Sequence, residues 1–239
     1  MAIQTRMIEY QHAGNTYEGM LAWDDSVAGP RPGIAIAHAW AGRTEFEEDK
    51  AVALAQLGYA GFALDVFGKG VRGDGKEECG ALIAPLLEDR PRLQALVKLG
   101  VEVMGQQAEV DAGCTAAIGF CFGGLTVLDL ARAGADVRGV VSFHGLFNPP
   151  GNTEGTTISA KVLCLHGYDD PMVPPDSVLA LASELTAAGA DWQLHAYGNT
   201  LHAFTNPNAD DPDFGTVYQA DADRRSWCAL TNFLDEVLA

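Results

Sequence analysis

Thr115-Ala-Ala-Ile-Gly-Phe-Cys-Phe-Gly-Gly-Leu-Thr126 decides how the rest of this chain is read. It begins as an apolar run of strand length, breaks at Gly119, and carries Cys121 at an apex between Gly119 and Gly123. Leu125, Leu128 and Leu130 then follow with helical spacing, which predicts a sharp strand-to-helix turn with the cysteine on it. Such a turn forces its central residue into a strained backbone and leaves no room for side chains beside it, so glycines flank it. It also places the Phe122 N–H in the first turn of a helix, where the dipole favours a thiolate and, later, an oxyanion. The plainer alternative is that Cys121 is one more small buried residue in an apolar segment, as free cysteines commonly are.

A chain of 239 residues that is 48% hydrophobic can build a substantial core, and the sequence reads as one domain over 1–239. Fifteen basic against 32 acidic residues give a net charge of −17, which repels polyanions. No nucleic-acid partner and no anionic membrane surface is therefore expected. The first residues, Met1-Ala-Ile-Gln-Thr-Arg, form no signal-like apolar core, and no stretch approaches the ~18 apolar residues of a spanning helix, so a cytoplasmic location is expected. The five cysteines are odd in number, scattered, and without a two-residue-spaced pair, which argues against a disulfide framework and against a metal site.

Along the chain, Thr5 to Gln11 and Thr16 to Trp23 read as a hairpin, and Ser26 to Gly33 as a loop. Strand Ile34 to His38, helix Glu45 to Leu57 and strand Tyr59 to Val66 follow. The glycine-rich segment Phe67 to Gly75 carries Lys69 and Arg72, either a carboxylate-binding loop or a solvated connection. Lys76 to Val110 is mostly helical with breaks near Pro85 and Pro91. Beyond the elbow come strands Arg138 to His144 and Lys161 to His166, helix Asp176 to Ala188, strand Trp192 to Tyr197 and a terminal helix Arg224 to Leu238. Alternating strands and helices imply an α/β fold, a mainly parallel sheet of about seven to eight strands flanked by helices on both faces.

In such sheets the functional groups gather just past the carboxyl ends of strands. Tyr168-Asp-Asp-Pro-Met-Val-Pro174 and Gly198-Asn-Thr-Leu-His-Ala-Phe204 occupy such places, so the chain order is cysteine, aspartate, histidine. A nucleophilic thiol needs an imidazole to take its proton and a carboxylate to hold the ring's tautomer. His202 is the expected base and Asp170 the expected carboxylate, with Asp169 as the fallback. His12, His38, His144, His166 and His195 read as structural, although His38 and His144 are placed where they could line the site.

Gly119-Phe-Cys-Phe-Gly-Gly124, His166-Gly-Tyr-Asp-Asp-Pro-Met-Val-Pro174 and His202-Ala-Phe204 together resemble the dienelactone hydrolase family of the α/β-hydrolase fold. The Asp-x-x-Val-Pro spacing of that family is what favours Asp170 over Asp169. The resemblance implies hydrolysis of small-molecule esters or lactones through a thioester on Cys121. No cofactor is expected, and the expected assembly is a monomer or homodimer. It also implies an oxyanion hole from the backbone N–H groups of Phe122 and Trp40. Three departures stand out: Ala39 holds the place of a family glutamate that helps activate the thiol, Asn206 stands where the family has an arginine, and Arg72 matches a second arginine only loosely. A non-catalytic ligand-binding or sensor protein on the same scaffold is the alternative, and Asn206 to Gly215 is either a lid or an exposed loop.

Overall fold

A computed structural model describes residues 2–239. Eight strands belong to a mostly parallel central sheet accompanied by helices, the α/β-hydrolase architecture. The chain divides into two compact units, one ending at Ile118 and the other starting at Gly119.

The first unit opens with the hairpin of β1 (Ile3–His12) and β2 (Asn15–Asp24), in which Tyr10 pairs with Tyr17. Ala13 and Gly14 both take positive φ, as the tight turn between right-twisted strands requires. β3 (Arg31–Ala37) runs parallel to β4 (Ala60–Ala63), and β2 closes against β4 antiparallel. Between them α1 (Glu45–Gln56) starts on a capping box, Thr44 with Glu47, and lies so close to β4 that a Cβ on Gly61 would meet the Ala51 carbonyl at 2.5 Å. The strand order is β1-β2-β4-β3-β5. Helices α2 (Gly75–Glu88) and α3 (Arg90–Gly105) precede β5 (Val110–Phe120), whose last two residues belong to the second unit.

Pro85 does not break its helix; α2 continues to Glu88 and the chain turns at Asp89, which caps α3 by accepting the Arg92 N–H. Pro85 has no N–H to bond back to the carbonyl of Ala81, so α2 loses one hydrogen bond near its end without being interrupted. β5 begins at Val110, five residues before the apolar run, because Asp111, Ala112 and Gly113 are exposed and give no hydrophobic signal.

In the second unit α4 (Phe122–Arg132) leaves the end of β5, and β6 (Gly139–Phe143), β7 (Lys161–Gly167) and β8 (Trp192–Tyr197) stand side by side in parallel. α5 (Pro175–Ala187) connects β7 to β8. A short antiparallel pair, β9 (Asp210–Asp211) and β10 (Thr216–Val217), falls in and just beyond the segment read as a lid or loop. The terminal helix α6 (Ala220–Val237) starts four residues earlier than its apolar face suggests, since the Gln219 side chain caps it by accepting the Ala222 N–H at 2.6 Å. Among the described residues no helix is long and apolar enough to cross a membrane.

Candidate active site

The elbow forms as the glycine pattern dictates. β5 stops at Phe120, Cys121 takes φ 57° and ψ −115°, and α4 starts at Phe122. A Cβ on Gly119 would lie 2.0 Å from the Gly123 carbonyl oxygen, so only glycine lets strand and helix meet this closely. A cysteine in that backbone region is held by its surroundings at a cost of about 1–3 kcal/mol, a kind of strain that gathers at functional sites. Its N–H donates to the Phe143 carbonyl at 3.0 Å, and its carbonyl accepts the Gly124 N–H at 2.9 Å, so the turn is fixed on both sides. Cys121 is half-buried, and Phe122 brings its N–H to the positive end of α4.

β7 delivers the carboxylate. Asp170 lies in the turn after Gly167 and is 2% exposed. One oxygen accepts the Met172 N–H at 2.8 Å and the other accepts Nδ1–H of His202 at 2.6 Å. Asp169 is exposed instead, and its carboxylate accepts the Thr200 N–H at 3.1 Å, pinning the loop that leads to the histidine. The two neighbours thus divide the work, one holding the ring and one holding its loop.

His202 follows β8. Its backbone N–H donates to the Gly215 carbonyl at 2.9 Å and its carbonyl accepts the Val217 N–H at 3.1 Å. The 206–215 segment therefore folds back to support the histidine backbone. Burial alone would lower the pKa of His202, but the charge of Cys121 and the hydrogen bond to Asp170 outweigh it and raise it to about 10. Nε2 is buried and makes no hydrogen bond of ordinary geometry, while the sulfur of Cys121 is near enough to act on the ring. Such loose contacts commonly tighten only when substrate is bound.

Of the remaining histidines, His144 joins this group. Its Nδ1 accepts a second hydrogen bond from the Cys121 N–H at 3.1 Å, its Nε2 lies 2.8 Å from Thr205 Oγ1, and its ring stands edge-on to that of His202, centroids 5.2 Å apart. His166 is buried beside Phe147 with neither ring nitrogen hydrogen-bonded, and burial lowers its pKa. His195 is exposed on β8 and His12 lies at the β1–β2 turn.

In the first unit, Trp40 and Ala39 lie on the loop after β3. The buried Glu47 organises that loop: one carboxylate oxygen accepts the Ala39 N–H at 3.0 Å and the other accepts the N–H and hydroxyl of Thr44. His38 donates from Nδ1 to the Ala39 carbonyl at 2.7 Å and accepts the Val66 N–H on Nε2, so it is a neutral buried strut, its pKa lowered by burial. Arg72 donates to the Val71 carbonyl; burial and the nearby Arg43 lower its pKa. Sequence reasoning missed Glu47 and Thr205. The Thr-x-x-Glu capping box was a visible signal for the first; Thr205 carried none.

A cavity of about 450 Å³ lies elsewhere in the second unit, lined by Phe147, Ile158, Leu181 and the Arg132–Glu184 pair, and it includes none of Cys121, Asp170 and His202. Arg132, 1% exposed, is bound twice by Glu184 at 2.7 Å and also meets Asp129 and the carbonyls of Phe147 and Asn148. Among the described residues no cluster of three or more metal-ligating side chains is found.

The sequence profile described as "Dienelactone hydrolase family" matches residues 17–238. The solved structure titled m3DLH superposes with a TM-score of 0.95 at 36% identity, covering 100% of both chains. P91, a dienelactone hydrolase-like promiscuous phosphotriesterase from metagenomic libraries, superposes at 0.93 with 34% identity, again over 100% of both chains. A Bradyrhizobium protein assigned as a 2-oxo-3-(5-oxofuran-2-ylidene)propanoate lactonase is 26% identical over 216 residues, 85% of this chain and 86% of its own.

Proposed function

The chain belongs to the dienelactone hydrolase family and is an ester hydrolase; we propose that it opens lactones and small activated esters with Cys121 as nucleophile, His202 as general base and acid, and Asp170 behind the ring. The observation that carries this reading is the short Asp170–His202 hydrogen bond, 2.6 Å, on a buried imidazole whose pKa is raised first of all by the charge of Cys121.

The proton of the thiol passes to Nε2 of His202, and Asp170 offsets the imidazolium charge that results. The sulfur attacks the ester carbonyl and forms a tetrahedral oxyanion. The Phe122 N–H, at the start of α4, is the donor this unit offers to that oxygen, and Trp40 is proposed as the second backbone donor from the loop after β3. Collapse of the intermediate breaks the ester C–O bond, the leaving oxygen takes the proton from His202, and a thioester remains on Cys121. His202, now neutral, takes a proton from water; the hydroxide adds to the thioester, the acid is released, and the sulfur leaves with the proton returned to the cysteine–histidine pair. Thiol chemistry of this kind suits good leaving groups and strained rings better than amides. The mechanism calls for no cofactor. It fits a cytoplasmic enzyme of small molecules, acting as a monomer or homodimer.

Purified wild type, Cys121→Ala and His202→Ala, assayed on p-nitrophenyl acetate and a panel of small lactones, test the proposal. Loss of about a thousandfold or more in kcat in both variants is expected; equal turnover by all three would end it. A second reading is favoured by the similarity to P91: the same sulfur attacking an activated phosphotriester. Release of p-nitrophenol from paraoxon, lost in Cys121→Ala, is its expected result. A ligand-binding role without catalysis predicts instead that no ester is turned over and that Cys121 reacts with iodoacetamide no faster than a free thiol.

A further inference from the structure

His144 carries two hydrogen bonds and a strained backbone that the hydrolytic cycle leaves unused. It directly follows β6 at φ 37°, a left-handed conformation that side-chain-bearing residues rarely adopt. Its N–H is held by the Leu165 carbonyl at 2.8 Å. Gly145, directly after it, could not carry a Cβ, which would lie 2.2 Å from Ser142 Oγ and 2.8 Å from the Gly124 carbonyl carbon. The chain at this corner is therefore pressed against the first turn of α4, and the price of that contact is a strained residue whose ring points at the elbow. Two non-glycine residues with positive φ, Cys121 and His144, are joined by one hydrogen bond.

The partners fix the tautomer. A backbone N–H can only donate, so Nδ1, which accepts from the Cys121 N–H, carries no proton. The proton of the neutral ring is then on Nε2, and Nε2–H donates to Thr205 Oγ1 at 2.8 Å. Thr205, 1% exposed, follows His202 by three residues, and the intervening Phe204 packs edge-on to the His144 ring with centroids 5.1 Å apart. One imidazole thus ties the backbone of the nucleophile to the loop of the base, with the His202 ring 5.2 Å away at 63°.

We propose that His144 is a positioning residue: in its neutral Nε2–H form it sets the distance and angle between Cys121 and His202 by bridging the Cys121 N–H to the Thr205 hydroxyl. The proposal rests on the reading of Cys121 and His202 as nucleophile and base. In this role His144 acts through Cys121 and His202, so it acts on kcat and leaves substrate binding nearly alone.

The test combines three variants and one spectrum. Nitrogen-15 NMR of the wild-type ring reads the tautomer directly; an unprotonated Nδ1 and a protonated Nε2 are expected, and the reverse would overturn the proposal. His144→Phe keeps a planar ring and removes both hydrogen bonds. It should lower kcat about tenfold or more with KM changed by less than about twofold, and slow iodoacetamide alkylation of Cys121 in parallel. His144→Asn, whose Oδ1 can replace Nδ1 as acceptor for the Cys121 N–H, should recover about threefold over His144→Phe. Thr205→Val, which removes only the far end of the bridge, should lower kcat about threefold and answers the question if a His144 variant fails to fold. Wild-type kcat in Thr205→Val and His144→Phe, or an asparagine variant no better than phenylalanine, would overturn the proposal. Failure of the esterase reading looks different: wild type would turn over no ester, while the ring spectrum and the alkylation rates would still report whether the bridge exists.

Discussion

Replacing Asp170 by asparagine separates the two adjacent aspartates by energy. The carboxylate accepts Nδ1–H of His202 at 2.6 Å and the Met172 N–H at 2.8 Å, and it is 2% exposed, so both bonds are charge-assisted and shielded from water. A hydrogen bond to a charged group contributes about 1.5–3 kcal/mol, and its loss in the transition state, where the imidazolium forms, lowers the rate about 10–150-fold. If the amide turns its NH₂ toward Nδ1, the ring is driven into the other tautomer and the loss approaches about 10⁴-fold. Asp170→Asn should therefore lower kcat/KM on p-nitrophenyl acetate by about 10–10⁴-fold, most of it in kcat. Asp169→Asn touches only the Thr200 N–H from an exposed position and should cost less than about threefold. Both variants should show the wild-type fold by circular dichroism. A loss in Asp169→Asn equal to that in Asp170→Asn, or an Asp170→Asn enzyme within threefold of wild type, would refute the assignment of roles.

The pKa of His202, about 10, is raised first by Cys121 among the influences that oppose burial, so in Cys121→Ala the ring should titrate well below its wild-type value by NMR; an unchanged titration contradicts the coupling. Because the folded-state pKa lies above the ordinary value near 6.5, the stability this group contributes is complete below about pH 6.5 and is lost as pH rises through about 10. Denaturant midpoints should fall across that window, and less so in His202→Asn. Gly119→Ala places a methyl 2.0 Å from the Gly123 carbonyl oxygen, so the elbow must deform; a loss of about 3 kcal/mol or more in urea melts is expected, against a gain of up to about 1 kcal/mol for Gly80→Ala inside α2, whose Cβ meets nothing within 4 Å. Arg132→Ala removes a buried cation that meets Glu184 and the fully buried Asp129 and should destabilise by about 3–5 kcal/mol, while a melting curve within 1 kcal/mol of wild type would show the charge cluster to be unimportant.

The site was legible in the sequence on two grounds. Cys121 is legible because the elbow leaves no room beside it for anything but glycine, whereas Asp170 and His202 are legible from their places after strands and from their resemblance to the family's segments. The sheet was legible for a different reason, since β3, β6 and β7 are short apolar runs buried on both sides. Boundaries failed where polar residues extend an element without a hydrophobic mark, as at Asp111 in β5 and Asp221 in α6. The role of His144 is not legible in the sequence, because nothing local shows that a histidine just after a strand turns its ring to a cysteine 23 residues earlier. That contact depends on tertiary packing of Gly145 against Gly124. Glu47 is the instructive miss: its capping box with Thr44 was visible, but only the folded loop reveals that its second oxygen holds Ala39.

The central claim is covalent, and the most direct measurement is the mass of the protein itself. Wild type mixed with a slowly deacylating p-nitrophenyl ester, quenched in acid and digested, should carry one acyl group on the peptide containing Cys121, labile to neutral hydroxylamine, with none on Cys121→Ala. An acyl group on any other residue, or wild-type turnover by Cys121→Ala, would contradict the account.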